Sequence, residues 1–388
     1  MRYIICAGHP PTTADCVDVG PITIDVLPDE VLIGIFDFFM DLCEDQRPLT
    51  WEILVHVCRQ WRYIVFAAPR RLDLRLLCTA RTRVNDMLDI WPPLPIELHA
   101  CSPHPLTEDN IIAMLGHNDC ICRISFPGID KGSWERLAPV MQVPFPALTH
   151  LFLSSSHVAP PTLPDSFLGR SAPGLRSLDL VDIAAPGLPK LLQSATGLIR
   201  LRLENIPHIP PYVMADCLSS LTRLEELRMS YRSHPIFEQE SRHSPPLTRT
   251  ILPKLNSLTF VPGPYEYLEV LFTWIDAPLH DYIFIYFFNP AIFDISQMSL
   301  FNGREELIQA PDRACMHFDN DDHLYVTLSS PKGSTRDASL LLLFECQDIA
   351  WQLLALCQFG GWRSSLGFCS SRSDDAELPL WTSDMENV

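Results

Sequence analysis

The sequence predicts a mixed α/β (α+β) repeat protein: a helical module over residues 21–70, followed by an irregular solenoid of short parallel strands with helices on its outer side. Three observations predict it. Two apolar, helix-like stretches lie between residues 27 and 69. A six-residue apolar pattern then recurs at near-constant spacing from 121 onward. Proline makes up 35 of 388 residues, about 9% against a usual ~5%, which cuts the chain into short elements and excludes long bundles.

Residues 1–20 lack periodicity and are expected to be a flexible lead-in. The run LPDEVLIGIF opens like a helix, with Pro28 at a first helical position and Asp29 and Glu30 at the positive end of the dipole. Val31, Leu32, Ile33, Ile35, Phe36, Phe38, Phe39 and Leu42 then place apolar groups on almost every side, so this helix must be covered from several directions. DLCEDQRP (41–48) is polar, ends in proline and is expected to be a loop. A second helix is predicted from Thr50, as N-cap, to Pro69. Trp51, Leu54, Cys58, Trp61 and Val65 form one stripe along it, widened by Ile53, Val57 and Ile64. RRLDLRLL alternates over Leu72, Leu74 and Leu76, the period of a half-buried strand.

The repeat is LxxLxL: LTHLFL at 148, LRSLDL at 175, LIRLRL at 198, LEELRM at 224 and LNSLTF at 255, with a looser ICRIS-F at 121 and a last form over Leu279, Tyr282 and Phe284. First positions 121, 148, 175, 198, 224, 255 and 279 are separated by 27, 27, 23, 26, 31 and 24 residues. Most of these steps match a leucine-rich repeat, whose period is 20–29. In each strand the fourth and sixth residues point inward and their neighbours outward, because side chains alternate along a strand. The segments 185–197 and 210–223 carry helical patterns that return the chain. From 311 the period blurs. CMHFDNDDHLYVTLS suggests two strands about a DNDD turn, and Asp348 caps an expected helix over IAWQLLALCQF. The array is therefore placed at 71–310, degenerate repeats or a cap at 311–370, and a polar tail at 371–388.

The net charge of −18 excludes a nucleic-acid partner, which would need a basic stripe. Thirteen scattered cysteines with no CxxC, and no Asn-x-Ser/Thr site, point to reduced thiols and an intracellular place, cytoplasmic or nuclear. The start is too short an apolar run for a secretory signal, and no stretch reaches the ~20 apolar residues of a membrane span, so no membrane partner is expected. GxSxG, GxxxxGK[ST] and GxGxxG are all absent; neither catalytic residues nor a cofactor are expected. His317, Asp319, Asp321, Asp322 and His323 lack calcium-loop or zinc spacing and read as a polar turn, with no metal.

LPDEVLIGIF, followed after a variable loop by W-x2-L-x2-V-C-R-x-W-R, resembles the F-box over residues 25–70. The F-box is a three-helix module that docks on the Skp-family adaptor of cullin–RING (SCF) ubiquitin ligases. An F-box before leucine-rich repeats is an arrangement common in fungal gene families, which FxWIDAPLxxY and IxFFNxxIFD (272–294) also resemble. The resemblance implies a substrate-recognition subunit without chemistry of its own, bound through the adaptor to a cullin and holding an unknown protein substrate. A ligase-independent scaffold is the alternative. The implied adaptor anchors are Leu27, Pro28, Leu32, Ile35, Phe36, Val57 and Trp61; a hairpin folded onto the repeats as their cap is the alternative for this surface.

Two departures stand out. The 41–48 loop is long, and the Asn or Cys that many leucine-rich repeats place eight residues after the first leucine is replaced by Ser156, Ile183, Ile206, Arg232 and Gly263. The turns must therefore satisfy their backbone otherwise. Outward side chains on the concave face are expected to be His150, Phe152, Ser177, Asp179, Arg200, Arg202, Glu226, Arg228, Ser257 and Thr259. Phe152, Asp179, Arg200, Arg202, Glu226 and Arg228 are the candidate substrate contacts, with the three arginines suited to an acidic or phosphorylated segment. Ordinary solvated strand surface is the other reading.

Overall fold

The computed structural model describes residues 24–42, 47–79, 84–99, 108–156, 160–232, 249–261, 267, 271, 274–276, 282–287, 313–318, 323–329 and 339–345. The expected lead-in, the helix after Asp348 and the tail lie outside them. Two compact units divide the chain, Met1–Arg75 and Leu76–Val388.

In the first unit a 3-10 turn, Ile24–Val26, leads into α1 (Asp29–Leu42). The Pro28 carbonyl accepts from the Val31 and Leu32 amides at 3.0 and 3.1 Å, so the proline sits where its missing N–H is not needed. Instead of the single helix expected from Thr50 to Pro69 there are two, α2 (Arg47–Val57) and α3 (Arg59–Ala67). Cys58 breaks them. Its backbone is extended (φ −155°, ψ 173°) and its Sγ accepts from the Trp61 amide at 3.4 Å, so the residue caps α3 rather than continuing α2. Pro48 likewise falls in the first turn of α2, not at the end of a loop.

Leu32, Phe36 and Met40 from α1, Trp51, Leu54 and Val55 from α2, and Ile64 and Val65 from α3 form this unit's core. The Phe36 and Trp61 rings lie 4.7 Å apart. The Arg62 Nε donates to the Val55 carbonyl at 3.0 Å, tying the end of α2 to α3. Leu72 and Leu74 are buried, but not in the strand expected there. The chain turns through 69–73, with Asp73 at φ 47° and the Leu74 amide bonded to the Pro69 carbonyl at 2.9 Å.

The second unit is mixed α/β with a mostly parallel sheet. β1 (Leu76–Thr79), α4 (Val84–Ile90), β2 (Ile96–His99), α5 (Glu108–Leu115), β3 (Ile121–Ile129), α6 (Lys131–Val140), β4 (His150–Ser155), β5 (Ser177–Val181), α7 (Leu188–Ser194), β6 (Arg200–Ile206), α8 (Pro211–Ser219) and β7 (Glu226–Tyr231) follow in order. β8 (Thr250–Ile251), β9 (Ser257–Val261), β10 (Ile275–Asp276), β11 (Tyr282–Phe287), β12 (Arg313–Phe318), β13 (His323–Ser329) and β14 (Ser339–Glu345) complete it. The main sheet runs β1-β2-β3-β4-β5-β6-β7-β9-β11-β14-β13-β12, while β8 and β10 pair separately. Pairing is parallel up to β14 and antiparallel over β14-β13-β12. Every LxxLxL segment from 121 to 255 supplies a strand, and β11 takes the last form from Tyr282.

The apolar ladder explains the register. Leu151, Leu178, Leu201, Leu227 and Leu258 are consecutive partners, as are Leu153, Leu180, Leu203, Met229 and Phe260. All are buried, each worth roughly 2 kcal/mol of transfer from water. Before each strand the first leucine closes the same turn: Leu148, Leu175, Leu198, Leu224 and Leu255 donate to the carbonyl three residues earlier at 3.0–3.3 Å.

Serine hydroxyls do the work of the absent Asn or Cys. Gly128 (φ 67°) and Asn205 (φ 51°) adopt the left-handed region at the register shifts near the ends of β3 and β6, and their amides donate to Ser154 Oγ at 2.7 Å and Ser230 Oγ at 2.8 Å on the next strand. Ile183 and Ile206, at the expected Asn positions, are buried among the leucines.

At the far end β14 pairs directly with β11, and β13 and β12 lie beside it in antiparallel pairing. No described helix is long and apolar enough to cross a membrane.

Candidate functional site

Two surfaces stand out, one on each unit. On α1, successive side chains are 100° apart, so residues at i, i+4 and i+7 share a stripe. Leu32, Phe36 and Met40 point inward at 0–1% exposure, whereas Val31, Ile35 and Phe38 point outward at 45%, 42% and 65%. The two stripes are centred roughly 140° apart on the helix by the same spacing. A surface helix ordinarily keeps its second face polar. Leu27, Ile53 and Val57 are also exposed.

This geometry sorts the sequence-derived anchors. Leu27, Pro28, Ile35 and Val57 are exposed, and Trp61 is half-buried against Phe36. Leu32 and Phe36 are a correction: both are sealed in the unit's own core and offer nothing to a partner. The sequence pattern could not separate them from Val31 and Phe38, because all four are apolar and only packing decides which stripe turns inward.

On the second unit, outward side chains of the parallel strands form rows. In one row Glu97, Arg123, His150, Ser177, Arg200 and Glu226 stand on successive strands. In the next stand His99, Ser125, Phe152, Asp179, Arg202, Arg228 and Thr259. Between β2 and β7 these side chains line a depression of about 290 Å³ that contains Phe152, Asp179, Arg200, Arg202 and Glu226 of the candidate contacts. Ser257 and Thr259 continue the rows on β9.

The expected basic group is not free. Glu204, two residues past Arg202 and therefore on the same side of β6, takes up two of its arginines. Arg202 Nη2 bonds Glu204 Oε2 at 2.8 Å, and Arg228 Nε contacts Glu204 Oε1. Burial pushes the Glu204 carboxyl up, but the Arg202 hydrogen bond and the charges of Arg202 and Arg228 outweigh it and hold the group below its ordinary range. The hydrogen bond to Glu204 raises Arg202 in turn. At the other side, buried Glu97 lies 3.5 Å from Arg123 Nε and 3.8 Å from His99 Nε2. Two of the three arginines expected to suit an acidic segment, Arg202 and Arg228, are thus already engaged by Glu204.

Asp179 is different. Burial raises its carboxyl, and the charges of Arg202 and Arg200 offset only part of that. Sequence reasoning missed Glu97, His99, Arg123 and Glu204. Period-two alternation carried past Arg202 reaches Glu204, whereas β2 carries no LxxLxL signal. Among the described residues no group of three or more His, Cys, Asp or Glu side chains could hold a metal ion. His317 and His323 sit on β12 and β13, and the turn between them lies outside the described residues.

Comparison with the models of known protein families finds no match, and no curated protein matches the chain.

Proposed function

We propose that the chain is the substrate-recognition subunit of an SCF-type ubiquitin ligase. In this reading the first unit is an F-box that docks on the Skp-family adaptor, and the second is an irregular leucine-rich-repeat solenoid whose open face holds a target protein. The observation that carries it is the second apolar stripe of α1. Val31, Ile35 and Phe38 stay exposed although the same helix fills the unit's core with its opposite side. Exposed apolar surface of this kind marks an interaction site. The three-helix order and the Leu-Pro start of α1 agree with the resemblance.

The chain's contribution is proximity. It raises the effective concentration of a target's lysines near the conjugating enzyme, and other subunits perform the transfer. The test is a cycloheximide chase of proteins co-purified with the chain, with and without residues 24–67. Lengthened half-lives on deletion are expected. Unchanged half-lives, with adaptor still captured by the intact chain, favour the ligase-independent scaffold instead.

A further inference from the structure

We propose that the depression between β2 and β7 holds a cationic side chain, lysine or arginine, of a target polypeptide, with Asp179 as counter-ion and Phe152 as the surface on which it lies. The proposal deepens the receptor reading above, and rests on it for the target being a protein.

Asp179 sits in the wall of the depression, half-buried, and among the described residues no donor bonds its carboxylate. A carboxylate taken from water without a partner is unfavourable, and its neighbours could have prevented this. Arg202 is its register partner on β6. Yet Arg202 is drawn to Glu204 at 2.8 Å, and Arg228 meets the same carboxylate. Glu204 thereby diverts the cation that would otherwise neutralise Asp179. Arg200, the other nearby cation, faces Glu226 in register. Arg123 on β3 is held at 3.5 Å from Glu97. Arg202, Arg228 and Arg123 are thus each engaged by a glutamate, and among the described residues none of these arginines forms an ion pair with Asp179.

The other side of Asp179 favours a cation as well. Phe152 is its register partner on β4, one strand spacing (~4.8 Å) away, and its half-exposed ring lines the same depression. A guanidinium or ammonium bonded to Asp179 would lie over that ring, where a cation is attracted to the aromatic face. Ser125 and Ser177, also in the lining, present neutral hydroxyls. A phosphate or carboxylate entering here would meet the Asp179 charge, with Arg202 and Arg123 of the lining already engaged by Glu204 and Glu97.

Saturation-transfer NMR on the full chain tests this, using N-acetyl, N-methylamide derivatives of arginine, lysine, glutamate and O-phosphoserine as probes. Saturation is expected on the arginine or lysine derivative. Asp179→Asn should weaken that binding about tenfold or more, the usual worth of a hydrogen bond to a charged group. Phe152→Leu should weaken it a few-fold, the usual worth of a cation on a ring. Unchanged hydrogen exchange in peptides covering 121–231, on the second unit that carries both residues, confirms that the variants are folded. Binding of the glutamate or phosphoserine derivative in preference, binding of no derivative, or cation binding untouched by Asp179→Asn overturns the proposal. Loss of cation binding with adaptor capture intact in the wild-type chain sinks only this pocket; absent adaptor capture with Asp179-dependent cation binding intact sinks only the receptor reading.

Discussion

Substitutions on the two faces of α1 should separate stability from binding. Leu32 is wholly buried, so Leu32→Ala removes methyl and methylene groups from a packed site and leaves a cavity. Such truncations cost about 2–5 kcal/mol. In a three-helix unit this is a large fraction of the total, and hydrogen exchange of amides in 29–67 should quicken about 30-fold or more, at ~1.4 kcal/mol per tenfold. Ile35→Asp with Phe38→Asp acts on side chains 42% and 65% exposed, where substitutions usually stay within about 0.5 kcal/mol. The pair together should then change exchange in the same peptides by less than about fivefold. Exchange mass spectrometry on peptides covering 29–67 reads both. Should the outward pair accelerate exchange as strongly as Leu32→Ala, the outward stripe is packed against protein after all, and the separation of faces is wrong.

Three further outcomes follow from the second unit. Ser230→Ala removes the 2.8 Å acceptor of the part-buried Asn205 amide and should lower stability by about 0.5–1.5 kcal/mol, measured by urea unfolding. Glu204 is held below its ordinary range, so it adds stability above that range and loses it as pH falls through the folded value. Glu204→Gln should therefore melt below wild type at pH 7, and the gap should close in acid. Asp179 has the opposite sign: its carboxyl is raised, so its contribution is full below the ordinary carboxylate range and is lost as pH rises through the raised value. Asp179→Asn should melt above wild type at pH 7 and level with it near pH ~3.

What the sequence showed and hid has physical causes. The strands from 121 to 260 were legible because two inward leucines per repeat are forced by the alternation of side chains, and the same alternation placed Phe152, Asp179 and Arg202 outward. β1 and β2 escaped because LLCT and IELH are too short for a pattern, and with β2 went Glu97 and His99. The break at Cys58 was invisible to periodicity, since the stripe from Trp51 to Val65 runs through it; a single sulfur–amide contact ends one helix and starts the next. β14 beside β11 is a pairing between segments far apart in the chain, which no local signal encodes. Charge pairing failed for a related reason. Arg202 and Arg228 looked like a basic group until Glu204, one step further along β6, was placed between them.

The outward stripe of α1 as a docking face is tested most directly by calorimetric titration of the purified chain with a purified Skp-family adaptor at several temperatures. Binding with a negative heat-capacity change is expected, because apolar area is covered, and it should vanish in the Ile35→Asp/Phe38→Asp chain. No heat with the wild-type chain, or equal affinity in that variant, would contradict the account.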